Sequence, residues 1–90
     1  MSCSVQLYLG QSQSLKDKRQ VIKSLKDRIG NAFNVSVAEV ADQDLWQKAT
    51  LGFAVVSNQT RHANEVLSKV VNFIERDYSI ELIDYQIEAH

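Results

Sequence analysis

Two hydrophobic periodicities alternate along this chain, and their order leaves few folds open to it. Apolar residues recur at every second position in residues 5–9, 33–40, 49–57 and 80–88, the spacing of strands with one buried face. Between these segments, they recur at every third or fourth position in residues 15–29 and from Thr60 to about Asp77, which is typical of amphipathic helices. The predicted order is therefore β-α-β-β-α-β.

Two split βαβ units in this order, each with a right-handed crossover, make a four-stranded antiparallel sheet with both helices on one face. This is the ferredoxin-like α+β sandwich, and we predict one such domain over residues 1–90. The 44% of apolar residues suffices for its core. No apolar run approaches the ~18 residues of a membrane span, and no basic segment precedes the first apolar stretch, so we expect a cytoplasmic protein.

The first predicted helix has signals at both ends and one unusual residue inside. Ser14, with Asp17 three residues later, can form a capping box at its start, and Gly30 is the expected stop. Lys18 points into the apolar stripe, so it must either extend its stem past apolar neighbours towards water or pair with an acid. We favour the extension over a contact of Lys18 with a ligand or partner.

The net charge of −1 hides an uneven distribution of charge. Residues 14–29 carry six basic and two acidic side chains, a local charge of +4, whereas residues 75–90 carry one basic and five acidic ones, a local charge of −4. Four of the cations project within about 80° of one another and form a ridge about 15 Å long, here called the basic ridge: Lys16, Arg19, Lys23 and Lys26. Such a row favours polyanions such as RNA, although a solvated face that keeps the protein soluble is the alternative.

Two aromatic residues, Tyr8 and Trp46, are candidate partner contacts. Trp46 lies in the polar connection of residues 41–48, where it either anchors a partner or folds back with Leu45 over one end of the core. We favour the second interpretation. Tyr8 belongs to the sheet face that the helices leave open. The residues predicted on this open face are Tyr8, Ser36, Ala38, Gly52, Ala54, Val56, Gln86 and Glu88.

The segment of residues 52–56, Gly-Phe-Ala-Val-Val, resembles part of the RNP1 motif. In one class of RNA-binding domain, the aromatic residues of this motif lie on the sheet surface and stack on RNA bases. Leu51 stands where that motif has a basic residue, and Val55 stands where it has a second aromatic one. Phe53 lies on the same face of the strand as Leu51 and Val55, and we expect the side chains of this face to be buried. We therefore do not expect bases to stack on this sheet.

Few residues of this chain predict catalysis. His62 and His90 are too few for a catalytic triad or a metal site, and Cys3 has no basic neighbour, so an inert thiol is expected. Acylphosphatases share the predicted fold and size, but they carry an arginine in the loop after the first strand, where this chain has Gln-Ser-Gln-Ser at residues 11–14. We expect no enzymatic activity, no cofactor and no metal.

Four segments together resemble the YlxP family of small bacterial proteins. They are residues 14–29 (SLKDKRQVIKSLKDRI), 33–40 (FNVSVAEV), 43–49 (QDLWQKA) and 52–58 (G-x-A-V-V-S-N). The resemblance implies a ferredoxin-like fold and a bacterial cytoplasmic protein, often encoded beside ribosome-binding factor A and translation initiation factors. It also implies association with the ribosome or RNA, and it carries over no catalytic residue. Residues 76–90 match only in their apolar-acidic pattern.

The leading prediction is a non-enzymatic accessory protein that binds ribosomal RNA or a ribosomal subunit through the basic ridge, with a role in ribosome maturation or translation. The alternative is a protein-interaction module whose open sheet face, or an exposed strand edge, forms a homodimer or recruits a partner. The two hypotheses need different surfaces of the same domain.

Overall fold

The computed structural model describes residues 1–89, and its elements follow the predicted order. The elements are β1 Ser2–Tyr8, α1 Leu15–Ala32, β2 Ser36–Ala41, β3 Lys48–Ala54, α2 Thr60–Glu75 and β4 Glu81–Glu88. Within the described residues, no helix is both long and apolar enough to cross a membrane.

The four strands form one antiparallel sheet in the order β2-β3-β1-β4, so β2 and β4 are its edges. Alternate residues of the central strands are buried, namely Cys3, Val5 and Leu7 of β1 and Leu51 and Phe53 of β3. They pack with the apolar stripes of α1 and α2 in one core. This arrangement confirms the predicted ferredoxin-like α+β sandwich.

The starts of the two helices differ in how they are capped. At α1, the Ser14 hydroxyl accepts a 3.1 Å hydrogen bond from the Asp17 amide. The Asp17 carboxylate accepts a 3.1 Å bond from the amide of the residue before Ser14, so the predicted cap is confirmed. At α2, Gln59 occupies the cap position and makes no side-chain hydrogen bond to the helix. Capping of α2 by Thr60 or Asn58, which their residue types favour, is therefore not observed.

The predicted stop of α1 at Gly30 is wrong, because the helix continues to Ala32. Gly30 does not adopt a positive φ, so it is an ordinary helical residue here. The helix ends where Phe33 becomes extended and places its ring edge-on against the ring of Phe73, with 5.7 Å between the centroids. Packing of this partly buried aromatic pair accompanies the end of the helix, with no glycine turn.

β4 departs from the predicted alternation at Ile83. The pairing of β4 with β1 shifts there, so that Leu82 lies opposite Leu7 while Ile83 has no partner and is 52% exposed. After the irregularity, Tyr85 and Ile87 lie opposite buried residues of β1. The alternation of Ile83, Tyr85 and Ile87 in the sequence predicts one shared face for these three residues. For Ile83 this prediction is wrong, because one extra residue changes the parity of a strand.

Candidate nucleic-acid interface

The basic ridge lies along one solvent-facing flank of α1. The helix buries an apolar stripe in the core, and at about 100° per residue the ridge projects to one side of that stripe. Lys16, Arg19 and Lys23 are exposed, and Lys26 is partly buried. The structure thus brings the four predicted residues onto one surface.

The other flank of α1 faces the segment that follows α2. Arg28 projects from this flank and donates a hydrogen bond from Nη2 to Oδ2 of Asp77, at 2.9 Å. On the inward side, Lys18 reaches Glu39 of β2, so α1 lies over the β2 side of the sheet. The basic ridge therefore faces away from α2, near the β2 edge.

Asp77 is expected to make the stability of the protein depend on pH. Burial raises the pKa of this carboxyl, but the hydrogen bonds from Ser79 and Arg28, with the charge of Arg28, outweigh burial and hold the pKa below its ordinary value. A carboxyl of this kind stabilises the fold above its unfolded pKa of about 4, and the contribution is lost as the pH falls through the folded pKa.

We therefore expect Asp77→Asn to lower the free energy of unfolding near neutral pH, and its difference from the wild type to shrink as the pH falls below about 4. Urea unfolding of both proteins over a pH series measures this difference. A difference that stays constant across the series would contradict the role assigned to Asp77.

The six basic residues of α1 divide into two groups. Lys18 and Arg28 pair with carboxylates of the protein. In the part of the chain that the structure describes, the four residues of the basic ridge are in no ion pair. Their charge is available to an anion outside the protein.

Lys18 is fully buried, and its ammonium group is bound inside the protein. Its Nζ lies 2.8 Å from Oε2 of Glu39 and donates a 2.5 Å hydrogen bond to the carbonyl oxygen of Asp42. The favoured extension towards water is therefore wrong, and pairing with an acid is what occurs. Because the ammonium is enclosed, the less favoured hypothesis of a ligand or partner contact by Lys18 is also wrong.

The sequence reading missed Glu39 as the partner of Lys18, although the strand pattern contains a signal for it. Glu39 continues the inward-facing series of Val35 and Val37, so a period of two places its side chain on the helix-covered face of the sheet. Its Oε2 is buried and, within residues 1–89, accepts no hydrogen bond of good geometry. The charge of Glu39 is balanced by the ion pair with Lys18.

The connection of residues 42–47 is held at both ends. Asp42 has a φ of 63°, in the left-handed region, and its carboxylate accepts a 2.7 Å hydrogen bond from the Thr50 hydroxyl. At the other end, the Gln47 carbonyl oxygen accepts a 2.8 Å bond from the Leu9 amide, and Gln47 Nε2 donates to the Ser12 carbonyl oxygen at 3.3 Å. The connection therefore lies against the loop that precedes α1.

The aromatic candidates lie on or near this end of the molecule. Trp46 and Leu45 are 45% and 47% exposed and take no part in the core, so the prediction that they close it is wrong. Polar contacts hold the connection instead. Tyr8 is 41% exposed, and its ring lies so close to Gly10 that a Cβ added there would be 2.8 Å from Cε2. A partner contact of Trp46 or Tyr8 stays a prediction.

The residues considered for catalysis are dispersed. His62 is exposed on α2, and His90 lies outside the described residues. Among residues 1–89, no three His, Cys, Asp or Glu side chains come together as ligands for a metal ion. Cys3 is buried, and burial raises the pKa of its thiol, which agrees with the expected inert cysteine.

The open face of the sheet carries seven of the eight residues predicted for it. Ser36, Ala38, Gly52, Ala54, Gln86, Glu88 and Tyr8 lie at strand positions that alternate with the buried ones. Val56 lies beyond the end of β3 and is fully exposed, so its placement on this face is wrong.

Fold and surface together define a small ferredoxin-like α+β protein with a basic helix flank and an open sheet face. The chain belongs to the family described as "Protein of unknown function (DUF503)", which matches residues 1–87. It is similar to the uncharacterized protein YlxP of Bacillus subtilis (strain 168), with 41% identity over 68 residues, or 76% of this chain and 74% of the relative. The resemblance to the YlxP family is thereby confirmed.

Proposed function

We propose that this protein is a non-enzymatic accessory protein of the bacterial cytoplasm that binds ribosomal RNA, free or within a ribosomal subunit, through the basic ridge. The observation that carries the proposal is the division of the basic residues of α1. Two are paired with carboxylates of the protein, and four, which lie along one exposed or partly exposed flank, are in no ion pair with any described residue. The resemblance to the YlxP family adds the ribosomal context and a role in ribosome maturation or translation.

The placement of the acidic residues also supports this proposal. The basic ridge lies near the β2 edge of the sheet, whereas the acidic strand β4 forms the opposite edge. Successive ridge residues are about 5 Å apart along the helix axis, so one nucleic-acid backbone can contact several of them. RNA that approaches the ridge meets the cations first, and the near-neutral total charge of the chain does not prevent binding.

Charge reversal on the ridge tests the proposal. We expect Lys16→Glu with Lys23→Glu to weaken binding to purified ribosomal subunits by about tenfold or more, measured by co-sedimentation at about 50 mM salt. Contacts to four phosphates also predict that wild-type binding weakens about 100-fold between about 50 and 200 mM salt. The double variant should lose about half of that salt dependence, because two of the four contacts are gone.

A matched control places the same change of charge on the other helix. Lys69→Glu with Arg76→Glu alters two exposed residues of α2 and its end, and neither is in an ion pair within the described residues. We expect this control to bind within about twofold of the wild type. Equal binding by the two double variants would reject the basic ridge as the binding surface.

A further inference from the structure

The open face of the sheet contains a trough of about 410 Å³, and the strand register explains why it is there. Two successive rows across β2, β3 and β1 consist of small side chains, so the side chains of these rows leave the space above the backbone open. The rows are Ser36-Ala54-Ser2 and Ala38-Gly52-Ser4. Most of the surface that lines the trough is apolar.

Val40 forms one wall of this trough. It is the extra residue where the pairing of β2 with β3 shifts, and its side chain lies beside Gly52. A Cβ added at Gly52 would be 3.0 Å from Cγ1 of Val40, so the absence of a side chain at Gly52 makes room for this wall. Val40 is 55% exposed, which leaves an apolar wall in contact with water.

The β4 side of the same face is acidic. Glu88 lines the trough, and Asp84 and Glu81 follow along β4 at positions opposite Gln6 and Tyr8 of β1. These three carboxylates form no ion pair with any residue that the structure describes. Against them, the strand positions of this face carry one basic residue, Lys48. The apolar trough therefore has a negatively charged border.

We propose that this trough docks a basic polypeptide segment of another protein. An apolar side chain of the size of leucine or methionine enters the space above Gly52, while lysine or arginine residues beside it pair with Glu88 and Asp84. A trough that is open along one side leaves a small molecule largely in water, whereas a polypeptide covers both the apolar floor and the charged border.

A second copy of the chain matches this surface less well than a basic segment does. Two open faces brought together would place the three carboxylates of each β4 in one interface, with one lysine, Lys48, on each face to balance them. The basic ridge of a second copy has the required charge, but no large apolar side chain of α1 is exposed to enter the trough. RNA is disfavoured because its phosphates would meet the carboxylates of β4.

The test uses the full chain labelled with ¹⁵N and a synthetic peptide in which two adjacent leucines are flanked by lysines. We expect amide shift changes concentrated at the trough residues Ala38, Gly52, Ala54 and Glu88. Replacing the peptide leucines by serine, or its lysines by glutamate, should abolish these changes. Binding of the lysine peptide is expected to weaken as salt rises, because ion pairs at this border are exposed.

Two variants of the protein give independent readouts. Ala54→Arg fills the trough at an exposed position and should weaken binding of the peptide by about tenfold or more. Ala32→Arg, the same substitution at the exposed end of α1, is the matched control and should bind like the wild type. Glu88→Lys should weaken binding of the lysine peptide and strengthen binding of the glutamate peptide. A loss of folding would not produce these opposite changes.

Several outcomes would overturn the proposal. Shift changes confined to α1, or no saturable binding, would remove the trough as the peptide site. A dimer in sedimentation, with the open face protected, would make a second copy its occupant. An RNA oligonucleotide that shifts the trough residues would show that the face is not selective for basic protein. The trough proposal does not depend on the basic ridge. Ribosome binding by the ridge variants tests the proposed function, whereas binding of the peptide tests the trough.

Discussion

Replacing Lys18 by methionine is expected to lower the free energy of unfolding by about 3–5 kcal/mol, which is a large part of the stability of a domain of this size. Lys18 is 0% exposed, and its ammonium lies 2.8 Å from the Glu39 carboxylate. Without it, Glu39 keeps a largely buried charge with no partner, and the Asp42 carbonyl oxygen loses a hydrogen bond. Urea unfolding, followed by circular dichroism, measures the loss.

Two further variants separate loss of the pair from loss of a lysine. Lys16→Met makes the same substitution at an exposed position two residues away and should change the free energy of unfolding by less than about 0.5 kcal/mol. Lys18→Met combined with Glu39→Leu should recover most of the stability, because no unpaired charge remains buried. If Lys18→Met alone cost no more than Lys16→Met, the ion pair would not be the enclosed contact described above.

The overall fold followed from the sequence because it depends on patterns that repeat over many residues. Four alternating segments and two helical stripes were enough to order the elements, and the Ser14 cap was recognised from one hydroxyl and one carboxylate. Errors arose where a single local contact decides the outcome. Gly30 signals a helix end, yet packing of Phe33 against Phe73 accompanies an extension of α1 by three residues.

The candidate sites were predictable to different degrees. The basic ridge follows from helical spacing alone, so its four residues are where the sequence placed them. The partner of Lys18 depends on which strand lies beneath α1, and that requires the sheet order as well as the inward parity of Glu39. The trough requires the register of three strands, together with the shift that turns Val40 towards Gly52. Local patterns do not contain such non-local pairings.

Phe53→Ala is expected to cost about 3–5 kcal/mol of unfolding free energy, comparable to the loss of Lys18. Phe53 is 1% exposed on the central strand β3, where it lies between Cys3 and Val37 in the strand register. Its removal leaves a cavity that neighbouring strands, fixed by their hydrogen bonds, can fill only in part. Urea unfolding measures the loss. A cost below about 1 kcal/mol would mean that this ring is not part of a well-packed core.

The same position also tests whether the sheet or α1 binds RNA. Phe53→Leu keeps an apolar side chain in the core, so it should fold and bind ribosomal subunits within about twofold of the wild type, while the reversal of Lys16 and Lys23 weakens binding by about tenfold or more. Base stacking on an aromatic ring contributes about 1–3 kcal/mol per base. If Phe53 stacked on RNA bases, Phe53→Leu would therefore weaken binding more than the ridge variant does. Because this ring is buried on the helix side of the sheet, we expect the ridge variant to lose binding and Phe53→Leu to keep it.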